Sequence, residues 1–560
     1  MVIDVTSLNH RRADNRWERV SVGDMLERVT WSYPDKEAII GWPGAFGDGR
    51  YERLTYRQAD EIANQVANGL LASGLGQGDR VLLFCENSVE GYLAKIGIAK
   101  AGLVSVPINP ALAPDVVSHL IETVQPKFAI VDAELWPQAE ASFSGTGRKP
   151  DVTIPIGGGA VSGSVTFYDF VADQPVTEPD VTIHGDDIWE ILFTSGTTAL
   201  PKGVMISHAS STFAAYGFAL TLSRGLKIEC DLRLATFLPV MYHVGDQVFT
   251  LPAFTCGGSL VIGRGPNPEA IAEAIDREKV TALWAGSPAM LNALADRFDE
   301  RSLDVSSLTV AVYGWAALPP ATLDSLKRHC GDDLVAVEIF GQTESISCHR
   351  FWPDKWTDLY RRTAPEYNYV GVPSPMLASR LVDPIGESLE GYQGVQGEAV
   401  YRSPAITAGY YLDEPATEEA FRGGWFHSGD VCVYDDDGLR IMVDRYKDIV
   451  KSGGENVSTI RVESVLNQHP NVVKAAVIGV PHERWGEAVT AVVVVHEVNQ
   501  GTEHELLKFC KERLAGFESP KSVILVDNLP ETVGGKILKY KLRQEYGDVV
   551  PAGSGTIWRS

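Results

Sequence analysis

The sequence predicts an α/β protein: a large N-terminal domain of layered α/β subdomains with a small β unit, followed by a small α+β C-terminal domain. Three observations carry this prediction. Helical and extended patterns alternate from Thr55 onward, the alternation resumes after a Gly/Ser/Thr-rich loop at 193–204, and a compact new set of short elements begins past Tyr446. Thr55 and Gln58 make a capping box, and Ala59, Ile62, Val66 and Leu70 recur at helical spacing up to Gly74. A strand over 80–85 follows, a helical stretch leads into a strand over 103–108, and a helix over 116–124 leads into a strand over 128–131. Residues 145–163 read as loop. Their Gly157-Gly158-Gly159 run is not a dinucleotide fingerprint, because Ser162 stands where the third glycine belongs.

The second α/β unit has buried strands over 234–238, 259–262, 281–284, 309–313 and 334–340. Near 394–401 and 431–442 short strands flank an Asp435-Asp436-Asp437-Gly438 turn, which marks the small β unit. Past Tyr446 come a helix over 459–466, strands over 472–480 and 488–496, a helix over 503–514 and a strand over 522–526. The domains are therefore drawn as 1–446 and 447–560, with a frayed end after Tyr546.

Bulk properties exclude several function classes. A chain of 560 residues exceeds one ordinary core, and 44% hydrophobic with 22% charged residues is a normal water-soluble composition. A formal charge of −24 argues against a nucleic-acid partner, which is met by a basic surface. Any polyanionic ligand must be held by local cations. The seven cysteines are scattered without C-x-x-C spacing, so neither a disulfide framework nor a zinc site is suggested and a reducing cytoplasm fits. No apolar run approaches the ~18 residues of a membrane-spanning helix, and the basic N-terminus lacks an apolar signal region.

The chemistry is signalled first by Phe193-Thr194-Ser195-Gly196-Thr197-Thr198-Ala199-Leu200-Pro201-Lys202-Gly203, directly after an apolar strand. Small and hydroxylated residues in a tight turn converge their N–H groups on phosphate oxygens, and a lysine adds a point charge. The Walker pattern fails, because Lys202 lies between Pro201 and Gly203 instead of between glycine and a hydroxyl. The order resembles the phosphate loop of the adenylate-forming superfamily of acyl-CoA synthetases, carrier-loading adenylation domains and luciferases. That family usually has glycine at the place of Ala199. Further segments match it in register: Tyr242-His243-Val244-Gly245, Tyr313-Gly314-Trp315-Ala316-Ala317, Phe340-Gly341-Gln342-Thr343-Glu344, Trp425-Phe426-His427-Ser428-Gly429-Asp430, Asp444-Arg445-Tyr446-Lys447-Asp448, Lys451-Ser452-Gly453-Gly454-Glu455-Asn456 and Pro530-Glu531-Thr532-Val533-Gly534-Gly535-Lys536. The resemblance covers most of the chain and is strongest to an acyl-CoA synthetase.

The resemblance implies ATP, Mg²⁺ and coenzyme A as cofactors and a plain carboxylic acid as substrate. ATP would be held by Thr194, Ser195, Gly196, Thr197, Thr198, Lys202, Gly314, Ala316, Phe340, Gly341, Thr343, Asp430, Arg445 and Lys536. Phe340 would stack on adenine, Thr343 touch the α-phosphate, and Asp430 and Arg445 take the ribose. Glu344 and Thr198 would hold the magnesium, whose hardness suits oxygen ligands. Tyr242, His243, Val244, Tyr313, Trp315 and Gly341 would line the acyl pocket, with the indole of Trp315 narrowing it where relatives have glycine or alanine. Pro239 and His243 are one residue further apart than is usual in that family, and His243 would gate and position the acid and not abstract a proton from it, since a carboxylic acid is already ionised at neutral pH. Lys536 would be the catalytic lysine, acting with His243, Thr343 and Glu344. Lys451, Ser452, Gly453 and Gly454 would admit pantetheine, and Lys447 would be the hinge about which a mobile C-terminal domain turns. Lys521, Lys539, Lys541 and Arg543 are candidates for the CoA nucleotide, with plain surface as the alternative reading. An acyl-AMP ligase serving a carrier protein or partner enzyme stays open, as do the identity of the acid and a homodimer.

Overall fold

Alternate residues of the strand Arg80–Phe84 enter two different cores: Val81 and Leu83 pack with helices Tyr56–Ala72 and Val89–Lys100, and Leu82 and Phe84 with Pro114–Val124 and Trp136–Thr146. A strand buried on both faces needs a helical layer on each side, which is the doubly covered parallel sheet. The structure, a computed structural model, describes residues 19–547 apart from 160, 195–200, 224–230, 243–244, 453 and 532–536, and apart from the side chains at 223, 347 and 348. The end after Tyr546 lies, from residue 548, outside the described residues.

This first sheet runs Gly409–Tyr410, Gly203–Ser207, Ile188–Phe193, Val104–Pro107, Arg80–Phe84, Phe128–Asp132, Val152–Ile156. From Ile188–Phe193 onward its neighbours are parallel. The Thr55 capping box is present, Thr55 accepting from the Gln58 N–H while the Gln58 side chain returns to the cap. One correction falls here. The stretch read as loop over 145–163 contains the strand Val152–Ile156, in register with Phe128–Asp132. Pro155 and the short apolar run hid it, and both suit its place at a sheet edge.

The second sheet has thirteen strands among the described residues. Its parallel part is built from Val335–Gln342, Val310–Gly314, Ala282–Gly286, Arg233–Thr236, Ser259–Ile262 and Glu37–Gly41. Two features differ from the sequence expectation. Glu37–Gly41, ahead of the first predicted helix, crosses to this sheet and pairs Ile39 with Leu260. The small β unit is not separate either: Ser345–Phe351 and Asn368–Pro373 carry the hydrogen bonding from the parallel strands to Arg440–Arg445, Phe426–Tyr434, Gly397–Arg402 and Ala378–Val382.

The last strand of that sheet ends at Arg445, residues 446–448 turn, and Val450–Ser452 opens a separate five-stranded sheet. Helices Thr459–Leu466 and Thr502–Lys511 cover one face of this sheet, and Lys539–Tyr546 covers the other. The two lobes touch through polar contacts. The Thr459 N–H and hydroxyl donate to Asp444 Oδ2 at 2.6 and 2.7 Å, the Ser458 hydroxyl donates to the Val443 carbonyl at 2.6 Å, and Arg461 pairs with Glu366 at 2.7 Å. No helix among the described residues is long and apolar enough to cross a membrane.

Candidate functional site

Strands that run parallel deliver their C-terminal ends to one edge of a sheet, and the loops leaving that edge form the crevice in such folds. Here the loops after Thr236, Gly286, Gly314 and Gln342 leave one edge together. Thr343 and Glu344 are the two-residue turn between Val335–Gln342 and Ser345–Phe351, with Gln342 paired to Ser345, so both side chains stand at the tip.

The phosphate-loop segment is closed at its base. Phe193 pairs with Gly203 across antiparallel strands, the Thr194 N–H donates to the Lys202 carbonyl at 3.0 Å, and the Lys202 N–H reaches the Thr194 hydroxyl at 3.4 Å. Ser195, Gly196, Thr197 and Thr198 lie outside the described residues, as does Ala199. The Lys202 ammonium sits 4.7 Å over the ring of Tyr410, whose hydroxyl donates to Glu344 Oε1 at 3.0 Å. Burial, then the Glu344 carboxylate, raises the Tyr410 pKa and keeps that hydroxyl a donor. The Tyr411 N–H to Gly203 carbonyl bond at 2.7 Å and the Thr407 N–H to Glu344 carbonyl bond at 2.8 Å stitch the same segment to both neighbours. Tyr410 thus ties the base of the phosphate loop to Glu344. Reading the sequence alone missed it, because nothing in the Gly409-Tyr410-Tyr411 triplet points to Glu344, 66 residues away in the chain.

Asp430 and Arg445 face each other across adjacent strands, with Arg445 Nε 3.1 Å from Asp430 Oδ1. The pKa of Arg445 is raised, by Asp430 first and against the pull of burial, with Asp448 and Glu344 adding to it. The strand residues ahead of Asp430 are held by their neighbours: Ser428 Oγ donates to the Ala399 carbonyl at 2.6 Å, Glu398 accepts from the Gly429 N–H at 3.0 Å and lies 2.7 Å from His427 Nδ1, and Gln342 Nε2 donates to the Ser428 carbonyl at 3.3 Å. That last bond joins the Phe340–Glu344 motif to the Asp430 motif. Trp425 is sandwiched between the guanidinium groups of Arg380 and Arg402 at 4.4 and 4.3 Å.

Leu238 and Trp315, the latter expected from the sequence on the acid side, converge on Gly286. A Cβ there would lie 2.6 Å from Leu238 Cδ1 and 2.9 Å from Trp315 Cζ3, so only glycine lets these walls close. Trp315 is 40% exposed, holds φ +71°, and sets its indole edge-on to Trp284 at 5.7 Å; Trp284 in turn stacks on Phe249 at 4.3 Å. A left-handed backbone costs a side-chain-bearing residue roughly 1–2 kcal/mol, and such strain gathers at working sites. Gly314 has the Ile339 carbonyl where a Cβ would stand, at 2.7 Å, and Ala316 is exposed beside it. The Tyr242 hydroxyl donates to Glu86 Oε2 at 2.7 Å, while His243 and Val244 lie outside the described residues. Tyr313 is a correction. It is fully buried on the opposite face of the sheet from Val312, among Leu318, Phe351 and Tyr360, because side chains alternate along the strand Val310–Gly314, whereas Trp315 lies just past that strand with φ +71° and no longer follows the alternation.

On the small lobe Lys451 is exposed, its N–H donating to Glu487 at 2.7 Å; Ser452 is buried opposite Gly486, Gly454 takes φ +91°, and Gly453 lies outside the described residues. These contacts are within the small lobe. Lys536 also lies outside the described residues; of those flanking 532–536, Glu531 bridges Ile537 and the Leu538 N–H donates to the Pro530 carbonyl at 2.7 Å. Lys447 stands in the turn between the two sheets, and its pKa is lowered, by desolvation first and then by Arg445. The basic cluster is otherwise engaged. Lys539 pairs with Glu463 at 2.8 Å, Arg543 with Asp448 at 2.5 Å, and the Lys521 ammonium donates to the carbonyls of Gly516 and Ser519, leaving Lys541 exposed. In this arrangement Lys539 is held by Glu463 and Thr459 and Arg543 by Asp448 beside the turn at Lys447.

Residues 26–411 match the model of the AMP-binding enzyme family, and 461–536 match that of the AMP-binding enzyme C-terminal domain. The chain belongs to the AMP-binding enzyme family. Within it the chain groups with the AMP-forming acid–CoA ligases. It is 33% identical to a feruloyl-CoA synthase from Amycolatopsis sp over 494 residues, 88% of this chain and 94% of that one. It is likewise 33% identical to the long-chain-fatty-acid–CoA ligase FadD13 of Mycobacterium tuberculosis over 504 residues, 89% and 94% of the two chains. Among solved structures, ATP-bound MatB from Rhodopseudomonas palustris aligns with a TM-score of 0.79 at 28% identity, covering 94% of this chain and 99% of that one. ATP is therefore the nucleotide of this AMP-binding enzyme. Two relatives of equal identity differ in the acid they are named for, so family membership does not select the acid.

Proposed function

We propose that the protein activates a compact carboxylic acid with ATP to an acyl-adenylate and passes the acyl group to coenzyme A. One observation supports this above all: Glu344, at the tip of its turn, is hydrogen-bonded through Tyr410 to the base of the phosphate loop, within the electrostatic reach of the Asp430–Arg445 pair. This supports a reading in which a carboxylate for a cation, a cationic phosphate site and a ribose-binding carboxylate share one crevice. In this reading Asp430 and Arg445 bind the ribose, Phe340 stacks on adenine, and Thr343 and Lys202 meet the phosphates. Mg²⁺ would be held by Glu344 with Thr198, and when bound it would neutralise phosphate charge. The partly exposed, hydrogen-bonded Glu344 carboxylate fits that use.

The acid's carboxylate oxygen attacks the α-phosphorus, forming the acyl–phosphate bond as the α–β phosphoanhydride breaks and pyrophosphate leaves. Lys536 bridges the two anions and stabilises that charge. The small lobe then turns about Lys447 and brings Lys451, Ser452, Gly453 and Gly454 to the crevice. The CoA sulfur attacks the acyl carbonyl, AMP departs, and the thiol proton passes to solvent.

The acid carries no ammonium group in this reading. Asp246, close to the Tyr242 loop, is buried against Lys95 and has no charge to spare for one. Trp315 folded over Gly286 shortens the slot, which favours a compact acid over a long chain. Pyrophosphate release and product mass over an acid panel, with and without CoA, test the whole reading. An acyl-CoA is the expected product. An acyl-adenylate that persists in CoA would favour a carrier protein or partner enzyme as acceptor, which the engaged state of Lys539 and Arg543 makes the second reading. No acid-dependent release of pyrophosphate from ATP would end both.

A further inference from the structure

Behind the acid-side loop lies an ion triad that no step above uses. Lys95 comes from helix Val89–Lys100, Glu190 from the strand that feeds the phosphate loop, and Asp246 from the helical turn Asp246–Thr250. Their side chains are 0%, 0% and 1% exposed. The Lys95 ammonium pairs with Glu190 Oε1 and with Asp246 Oδ2, the latter at 2.6 Å, and donates to the carbonyl oxygens of Met241 at 3.1 Å and Val240 at 3.4 Å. Gln247 Nε2 closes the ring, donating to Glu190 Oε2 at 2.9 Å and Asp246 Oδ2 at 3.2 Å.

Fully buried ion pairs are a poor means of stabilisation, since apolar groups of the same shape often serve as well; their retention calls for another reason. The contacts supply one. Among the described residues, the other hydrogen bonds to 238–242 come from Thr236, whose hydroxyl donates to the Leu238 carbonyl at 3.4 Å, and from Asn87, which donates to the same carbonyl at 2.8 Å and accepts from the Val240 N–H at 2.9 Å, and one runs to Glu86 through Tyr242. Among the described hydrogen bonds and ion pairs, Lys95 links this turn to the strand Ile188–Phe193 at Glu190, three residues ahead of Phe193 and the phosphate loop.

We propose that Lys95, clamped between Glu190 and Asp246, is a positioning residue: its hold on the Val240 and Met241 carbonyls sets the acid-side wall at Tyr242 in register with the phosphate loop. This rests on the reading of the Tyr242 loop as the acid wall. A small error in the placement of a carboxylate relative to its phosphorus target lowers rate steeply. The acid, and not ATP, is the substrate that feels it.

Removing Lys95 alone leaves two carboxylates facing each other out of water, so the test uses Lys95→Met/Glu190→Gln/Asp246→Asn, which keeps volume and removes charge, and Lys95→Met/Asp246→Asn as a second variant. Acid-dependent exchange of labelled pyrophosphate into ATP is followed at varied acid and varied ATP, with circular dichroism and melting to establish folding. The expected result in a folded variant is a rise of about tenfold in the KM for the acid with the KM for ATP unchanged. Glu190→Gln, which keeps the lysine in place, should recover most of the acid affinity. A folded variant with unchanged acid KM, or equal rises for acid and ATP, overturns the proposal. If neither variant folds, the triad is a stability element and the proposal falls. Wild-type protein without acid-dependent exchange would instead overturn the functional reading on which it stands.

Discussion

On the nucleotide side Glu344, Lys202, Asp430 and Arg445 stand on turns and strand ends, each paired to a neighbour that is itself hydrogen-bonded. On the proposed acid side Leu238 and Trp315 form the walls, backed by Trp284 and Phe249, and charge is withdrawn beneath them into the Lys95 triad. The difference follows from the ligands. A triphosphate and a ribose present fixed charges and hydroxyls that only fixed polar groups at hydrogen-bonding distance can match. A variable organic acid presents mostly apolar surface, and shape discriminates it.

The sharpest break between the two sides is Lys536→Ala. Charge development at the departing pyrophosphate is common to every acid, so adenylation should fall by about 10²–10³-fold for all members of an acid panel alike. Thioester formation from supplied acyl-adenylate should change little. Single-turnover assays of each half-reaction measure this, and equal losses in both would remove Lys536 from the first step.

The two sides also differed in how far they could be read from the sequence. Glu344, Asp430, Arg445 and Lys202 were legible because each belongs to a short motif whose spacing is set by one turn or one strand end. Tyr410 was not, since it reaches Glu344 from 66 residues away through a two-stranded contact that no local pattern encodes. Tyr313 was placed in the pocket because it lies two residues before Trp315, but the left-handed backbone of Trp315, just past the strand end, parts the two, and Tyr313 stays in the other core. Lys95, Glu190 and Asp246 lie far apart in the chain and look like surface charges; only packing shows that they share one cavity. The layered α/β character was legible for the same reason as the motifs, being written in local periodicity. The pairing of Glu37–Gly41 with Ser259–Ile262 is long-range and was not.

Trp315→Gly should act on the acid side alone. Opening the slot above Gly286 removes a barrier of indole size, so acids with several more methylenes should gain about tenfold in kcat/KM while the ATP KM holds. The backbone at φ +71° also favours glycine, so melting should not suffer from strain. An unchanged acid profile would take Trp315 out of the pocket.

Tyr410→Phe is the matching change on the nucleotide side. The ring beneath Lys202 survives and only the hydroxyl bond to Glu344 is lost. A hydrogen bond to a charged group contributes about 1.5 kcal/mol, which corresponds to roughly tenfold at most and about fivefold after partial relaxation. The loss should appear as a higher Mg²⁺ requirement with acid preference intact; a change in acid preference would show that the two sides are not separable at this point.

The smallest effect concerns the charge hidden beneath the acid wall. Glu190 has its pKa raised well above the ordinary carboxylate value, by desolvation first and then by Asp246, with Lys95 opposing. Asp246 is raised too, Lys95 is raised by both, the Tyr92 phenol stays protonated in its burial, and His208, beyond Trp189, is pushed down to about 3 and stays neutral through the relevant range. Because the folded state holds the Glu190 proton to higher pH than the unfolded chain does, this stabilising contribution is complete below the unfolded carboxylate value and is lost as pH rises through the folded one. Glutamine has no proton to lose. The melting temperature of Glu190→Gln, relative to wild type, should therefore climb by a few degrees, about 2 °C, between about pH 6 and about pH 9. A difference that is flat or falling over that range would mean that the triad carries its full negative charge in the folded protein at neutral pH.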